Sequence, residues 1–382
     1  MIDARDLCAA DRNEAGAAET AAIRRRIFRE LPQEAFAPRP VRAVAALAIA
    51  SAIAIGSTLL VVAPMPAFAA VLLSVLCGAA YGSLVLIGHE AAHGAVVRSR
   101  TLQELLMWGA FAIFMLSPAL WRVWHNRVHH QHTNRAADDP DNFDSVDSYH
   151  ESAVVRFVAA MTPGSGRWLS LLYLPISAAL VPQLILWRQS RRCQGFESLN
   201  RRRAAAESAA MAAFWCWLAF QLGLWSSLLV IVIPMLVAST IVMSYTATNH
   251  FLNPLVDDED QLATSMGVTT HPWLDLIHFN FSHHAEHHLF PAMSSKYYPL
   301  VRAKLRQYAG ERFVTPPHWK ALLMVFRTPR FHVGKDVLVD PASGRVATVA
   351  KVTEALIGEQ SPAISSVRSV HAPNEERIDF QP

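Results

Sequence analysis

Apolar residues run along this chain in long uncharged blocks, not in short alternation with polar ones. Residues 43 to 63 carry no charge, and neither do residues 67 to 88. About 20 apolar residues in a helix rising 1.5 Å each match a hydrocarbon core of roughly 30 Å. Pro64-Met65-Pro66 between the two blocks leaves room only for a tight hairpin. A second pair runs from 204 to 222 and from 225 to 247, broken at Gly223. In lipid a helix satisfies its own backbone polar groups, so the pattern predicts four spanning helices in two hairpins. The apolar runs at 105 to 120 and 168 to 187 are flanked at both ends by arginine, including Arg98, Arg100, Arg122 and Arg127 for the first and Arg167, Arg188, Arg191 and Arg192 for the second. Positive charge marks the cytoplasmic side. Both runs are therefore expected to lie in the interface or to re-enter without crossing.

Composition agrees. The 382 residues are 52% hydrophobic and 17% charged, against about 25% charged residues in soluble domains. The net charge of +3 gives no sign of a nucleic-acid partner. Cys8, Cys77, Cys193 and Cys216 form no C-x-x-C pair and are expected to be free thiols. Arg24, Arg25, Arg26 and Arg29 fall in a polar first segment with no cleavage signature, and Asp3, Asp6, Asp11 and Glu14 argue against a transit peptide. The expected organisation is a cytoplasmic amphipathic segment over 1–42, a membrane domain over 43–335 and a loosely ordered tail over 336–382. The fold class expected is all-α and polytopic, with interfacial helices and a cytoplasmic helical cap.

The chemistry lies in the histidines. They cluster as His89-Glu90-Ala91-Ala92-His93, as His125-Asn126-Arg127-Val128-His129-His130, and as His284-Ala285-Glu286-His287-His288. Spacings of three and four place such residues on one helix face, where they can converge on an ion. A four-coordinate zinc needs fewer imidazoles than these, so the number points to two metal ions. His89-Glu90-x-x-His93 alone reads as a zinc protease with Glu90 as base, which leaves the other clusters unexplained. His150, His318, His332 and His371 stand alone and are expected to be ordinary polar residues. His271 and His278 are weaker ligand candidates, and His132 and His283 are expected to support or cap the site.

Together the clusters resemble the three histidine boxes of the membrane fatty-acid desaturase and hydroxylase superfamily. The match rests on His89-E-A-A-His93-Gly94, on Trp124-His125-N-R-V-His129-His130 with Thr133-Asn134, and on His284-A-E-His287-His288-Leu289-Phe290-Pro291. It covers roughly residues 40 to 320. The resemblance implies a ninth ligand near the end of the fourth span, where Thr248-Asn249-His250 stands. The implied metal ligands are His89, His93, His125, His129, His130, His250, His284, His287 and His288, holding two iron ions (Fe2+/Fe3+) that activate O2. Glu90, Glu286 and Asn249 are the implied supporting residues, and Asp138, Asp139 and Asp141 are further acidic candidates that read equally well as a solvated loop.

The expected function is O2-dependent desaturation of an acyl chain on a lipid or thioester, at the cytoplasmic face of a multi-pass protein of a bacterial inner membrane. Two electrons would come from a separate donor, a ferredoxin or a b-type cytochrome with its reductase. No His-Pro-Gly-Gly haem segment is present, and His284 stands where front-end desaturases commonly carry Gln. A hydroxylase or ketolase of a lipid, alkane or carotenoid is the alternative on the same scaffold, and a non-catalytic membrane sensor is the remote one. Gly82, Ser83, Ser239 and Thr240 on the second and fourth spans read either as helix-packing positions or as channel lining.

Overall fold

The computed structural model describes residues 4–357 except 137 and 144, with side chains from residue 15 onward. Helix α1 covers Ala4–Glu30. The first hairpin is α2, Val41–Val62, and α3, Ala67–Ala92. Helices α4, Arg100–Phe111, and α5, Pro118–Val123, follow, and a π-helix then runs over Trp124–His129. Helices α6, Ala153–Met161, and α7, Tyr173–Trp187, lead to α8, Arg201–Ser227, and α9, Ile233–His250. The cap is built from α10, His284–Leu289, α11, Tyr298–Tyr308, and α12, His318–Arg327.

Four stretches are long and apolar enough to cross a membrane: Val41–Val62, Ala67–Ala92, Trp168–Arg191 and Arg201–His250. The last has 50 residues, about 75 Å of helix, more than twice the hydrocarbon core. It is two spans folded back at Gly223, whose φ of 70° and ψ of 176° interrupt the helix. Glycine supplies that left-handed φ without a Cβ penalty. The packing locates the fold-back. Met65 and Leu222, from the two hairpin tips, pack on one cluster of Leu60, Ala70, Leu229 and Val230. At the opposite end, Ser117 Oγ donates to Glu207 near the start of α8, and His250 closes α9 beside His284. The chain thus contains two hairpins side by side, with α3 and α9 packed together.

The two ambiguous runs return to the side they leave. Arg100–Phe114 and Pro118–His132 meet at a bend of 108°. Met115 sits at the bend with φ 53°, and its carbonyl accepts from Gln183 Nε2 in α7. Helix α7 begins with the Tyr173 ring 5.9 Å from that of Phe251, just past α9. Beyond its end, Ser190 is held by Arg201 at the start of α8. Both of those neighbours lie at the histidine end of the bundle.

The small residues on the spans serve packing. Ser239 Oγ donates to Leu174 O and accepts from Ala178 N, fastening α7 to α9. A Cβ at Gly82 would meet Ile241 at 3.3 Å, and Ser83 and Thr240 bond back to carbonyls one turn earlier.

Two expectations need correction at the carboxyl side. The described part of the stretch from 336 is ordered, and the protein is not purely helical. Strands β1, Phe331–Val333, β2, Val337–Asp340, and β3, Arg345–Thr348, form an antiparallel sheet with Phe331 opposite Val339 and Leu338 opposite Ala347. The alternation around the fully buried Leu338 and the Asp340-Pro-Ala-Ser-Gly344 turn were readable as a hairpin. Helix α13, Val349–Ile357, buries Val352 and Leu356 in the same core as Ala321 and Val325 of α12. Residues 358–382, with His371, lie outside the described residues. Cys77, Cys193 and Cys216 are free.

Candidate metal centre

The end of α3 delivers the first box. A Cβ on Gly88 would lie 2.5 Å from the Ala110 Cβ, so glycine there lets α4 press against α3 one residue before His89. The second box sits on the π-helix, and this changes which histidines meet. In a π-turn, residues five apart lie over one another. His125 and His130 therefore approach to 3.2 Å between Nε2 atoms. His129 still stacks on His125, with ring centroids 5.3 Å apart, but its ligating nitrogen joins a different group, so the two do not converge on one ion as expected. In α10, His288 meets His284 at 3.0 Å, and His287 faces away toward His130 at 3.1 Å.

The result is two groups. Ligating nitrogens of His89, His93, His125, His130 and His287 lie within 4.8 Å of one another. Those of His129, His250 and His288 do likewise, and His284 Nε2 joins them 2.8 Å from His250 Nε2. Every box contributes to this arrangement, and boxes two and three each supply both groups. The groups touch where the His130 and His288 rings approach to 4.4 Å.

Hydrogen bonding among the rings does not account for this crowding. The Nε2 atoms make five close contacts: His89 to His125 at 2.8 Å, His125 to His130, His130 to His287, His250 to His284, and His284 to His288. One ring nitrogen carries either a proton or a lone pair, so it takes part in one N–H···N bond. His125, His130 and His284 each face two partners, and at most three of the five contacts can be such bonds. Two imidazoles bound at right angles to one ion at about 2.1 Å sit about 3.0 Å apart, which is the spacing seen. Burial pushes His284, His287 and His288 well below the ordinary histidine range, keeping the rings neutral and their lone pairs available. His93 Nε2 is buried without a hydrogen-bond partner. The donor set fits two cations.

The outer nitrogens are oriented by groups that sequence reading placed only in part. His129 Nδ1 lies 3.2 Å from Asp139 Oδ1 and 3.1 Å from Asp141 Oδ2, so the acidic run is part of the site. Burial pushes the Asp141 carboxyl up to about 6. Burial would also raise Asp139, but the adjacent His129 and hydrogen bonds from its ring and from the backbone N–H groups of Asn134 and Asp141 draw it below its usual value. Asp138 instead pairs with Arg135. Tyr298 Oη lies 2.9 Å from His287 Nδ1, Thr133 Oγ1 is 3.3 Å from His288 Nδ1, and Thr264 O is 3.3 Å from His250 Nδ1. Such contacts fix ring orientation in metal sites. Tyr298 and Thr264 carried no local signal, because their partners are brought to them by the fold.

Glu90 and Glu286 do a different job from the one expected, since neither touches a histidine ring. Glu90 accepts from Ser295 N at 3.1 Å and pairs with Arg42 at 3.7 Å, tying box one to the cap. Glu286 is fully buried and ion-paired with Arg302. Asn249 is fully buried with both side-chain polar atoms unpartnered. His132, His278 and His283 lie outside the two groups: His132 contacts Arg135, His278 contacts Tyr245 and His283 contacts Ser282. His271 caps a short helix, His318 stacks on Tyr245, and His332 lies in β1.

An apolar cavity of about 260 Å³ borders the centre, lined by His89, His125, His129, His250 and His284. Val85, Leu86, Phe111, Trp121, Val242 and Thr246 continue its wall. Its outer rim includes Val154, Leu180 and Leu184, all exposed apolar residues, beside Arg188 and Gln189. Gly82, Ser83, Ser239 and Thr240 do not line it.

Known proteins share the pattern. The chain is 23% identical over 301 residues to an sn-1 oleoyl-lipid 12-desaturase of Synechocystis, covering 74% of this chain and 81% of that one. It is 24% identical to a chloroplastic omega-6 fatty acid desaturase of Brassica napus, covering 70% of this chain and 61% of the relative. It is 25% identical to the sn-1 acyl-lipid omega-3 desaturase (ferredoxin) of Synechocystis, covering 64% and 70%. The fatty acid desaturase family profile matches residues 65–319, which take in α3, the second hairpin and all three boxes. The chain is a membrane oxidoreductase of lipid metabolism and belongs to the fatty acid desaturase family.

Proposed function

We propose that the protein is an O2-dependent di-iron desaturase that introduces a C=C bond into an acyl chain carried by a membrane lipid. The observation that carries this reading is the pair of nitrogen groups, five and four histidines, set at the wall of an apolar cavity. Redox-silent zinc does not suit an oxidation, whereas imidazole suits iron. Two irons held by His89, His93, His125, His130 and His287 and by His129, His250, His284 and His288 would supply the oxidising power, with O2 as cosubstrate and electrons from a separate donor.

The chain's own residues supply selection. Apolar walls bind the acyl tail and exclude water, and the fixed position of the histidine groups along the cavity chooses one C–H pair among many alike. Acid groups Asp139 and Asp141 hold His129 in place. The two Synechocystis relatives are named as desaturases of acyl-lipids, and the exposed apolar rim at Val154, Leu180 and Leu184 suits a tail arriving from the bilayer. In a heterologous host, lipid mass spectrometry is expected to show loss of two hydrogens. Gain of one oxygen would instead establish a hydroxylase.

Two further outcomes follow from this reading. A Trp at Val242, on the cavity wall two turns before His250, is expected to shorten the preferred chain. One methylene in an apolar pocket is worth about 1–3 kcal/mol, so the product distribution should shift by about 5- to 150-fold per carbon. An unchanged distribution would remove Val242 from the substrate path. The active side should be cytoplasmic, because arginine concentrates at 98 to 100, 188 to 192 and 201 to 203 while the hairpin tips are uncharged. A cysteine at Met65 or Ser226 should react with an impermeant maleimide from outside, and one at Ser145 should not. Reversed labelling would invert the topology.

A further inference from the structure

The histidine centre has a second, chemically opposite neighbour. On the side of His93 away from the apolar cavity lies a polar cleft of about 580 Å³. Its wall carries Arg98, Arg100, Arg122 and Arg127, and its floor reaches His93 and Asn126. The two spaces share no lining residue.

Arg127 donates to Ser198 Oγ at 2.9 Å and Arg122 to Gln103 Oε1 at 3.5 Å, but no carboxylate neutralises the cleft. Among the described residues none of the four is ion-paired, and the nearby Glu104 is taken by Arg203 at 3.1 Å. Arg98, Arg100 and Arg127 are exposed. Arg122 Nε and Asn126 Oδ1 are buried without a hydrogen-bond partner. A concave site lined by one sign of charge raises the local concentration of an oppositely charged partner and speeds its docking.

We propose that this cleft is the docking site of an acidic one-electron redox protein, which passes electrons to the centre at His93. The proposal rests on the oxidase reading above, since a desaturase reduces O2 with two electrons that this chain does not carry. An acidic protein fits better than a lipid phosphate because the wall is polar and offers little surface to an acyl chain. It also explains why the arginines surround an approach to a centre histidine instead of merely ringing the bundle. Encounters of redox proteins are typically small and salt-sensitive, as charge-steered contacts are.

The test uses the full chain in nanodiscs of neutral lipid, with a plant-type ferredoxin and the soluble domain of a b-type cytochrome as probes. At least one is expected to bind, with affinity falling as salt rises. The double variant Arg98→Glu, Arg127→Glu should weaken that binding more than tenfold and lower product formation driven by that donor to match. Product formed with a chemical reductant, and iron content, should stay within twofold of the parent. Binding of neither probe to the parent protein, or equal binding to parent and variant, would overturn the proposal. So would a variant that binds the probe normally but loses a preference for phosphatidylglycerol vesicles, which would give the arginines to lipid. Binding that behaves as proposed in a protein without iron or product would leave the docking site standing and sink the oxidase reading instead.

Discussion

Replacing His125 by Ala is expected to abolish product while leaving the protein in the membrane. His125 Nε2 lies 2.8 Å from His89 Nε2 and 3.2 Å from His130 Nε2, and its ring stacks on Trp121 at 4.2 Å. The substitution removes one nitrogen from the five-histidine group and opens a gap in the cavity wall. Losing a group that merely orients a ligand costs 10–100-fold, so loss of the ligand itself should exceed about a thousandfold. Insertion depends on apolar length, which is untouched. Lipid profiling of the host beside a blot of the membrane fraction gives both readings. His371→Ala serves as the control and should match the parent. Activity within tenfold of the parent in the His125 variant would remove this residue from the ligand set.

The second large effect concerns stability. Arg302 pairs with Glu286 and donates to Val268 O and Ser282 O, both at 3.0 Å. Burial pushes the Glu286 carboxyl up, while the Arg302 charge pulls it back. In Arg302→Met the carboxylate is left alone inside the helix that presents His284, His287 and His288. Breaking a buried pair on one side costs about 3–5 kcal/mol. That cost should lower the melting temperature by about 10 °C and reduce bound metal. Adding Glu286→Gln should recover part of the loss, because the uncompensated charge is gone. A single variant that melts with the parent would show that the pair carries no stability.

Much of the architecture was legible because lipid makes the code simple. Uncharged blocks of span length, a Pro-Met-Pro break and a lone Gly223 gave two hairpins, and arginine at both ends of 168 to 187 gave a helix that returns to its own side. The sheet over 331–348 was missed because its strands have only three or four residues each and are overshadowed by the spans, although the alternation around Leu338 and the turn to Gly344 mark a hairpin. The nine histidines that the fold brings together were legible as candidates, but not their partition into two groups. Helical spacing suggested that His125 and His129 share an ion, whereas on the π-helix their rings stack and their ligating nitrogens join different groups. Nothing in Trp124–His129 announces a π-turn. The supporting residues divide in the same way. Asp139 and Asp141, close in sequence to His129, were candidates. Tyr298 lies 11 residues from His287, on a different helix, and only the cap brings its hydroxyl to that ring.

Metal content of the active protein tests the central claim most directly. Protein purified without oxygen from iron-supplemented cells should hold two irons per chain, and product formed should rise in proportion to iron restored to stripped protein. Zinc in overproduced protein would not decide the matter, because zinc outcompetes ferrous iron at many nitrogen sites. One zinc per chain, with no activity that returns when iron is added, would contradict the account.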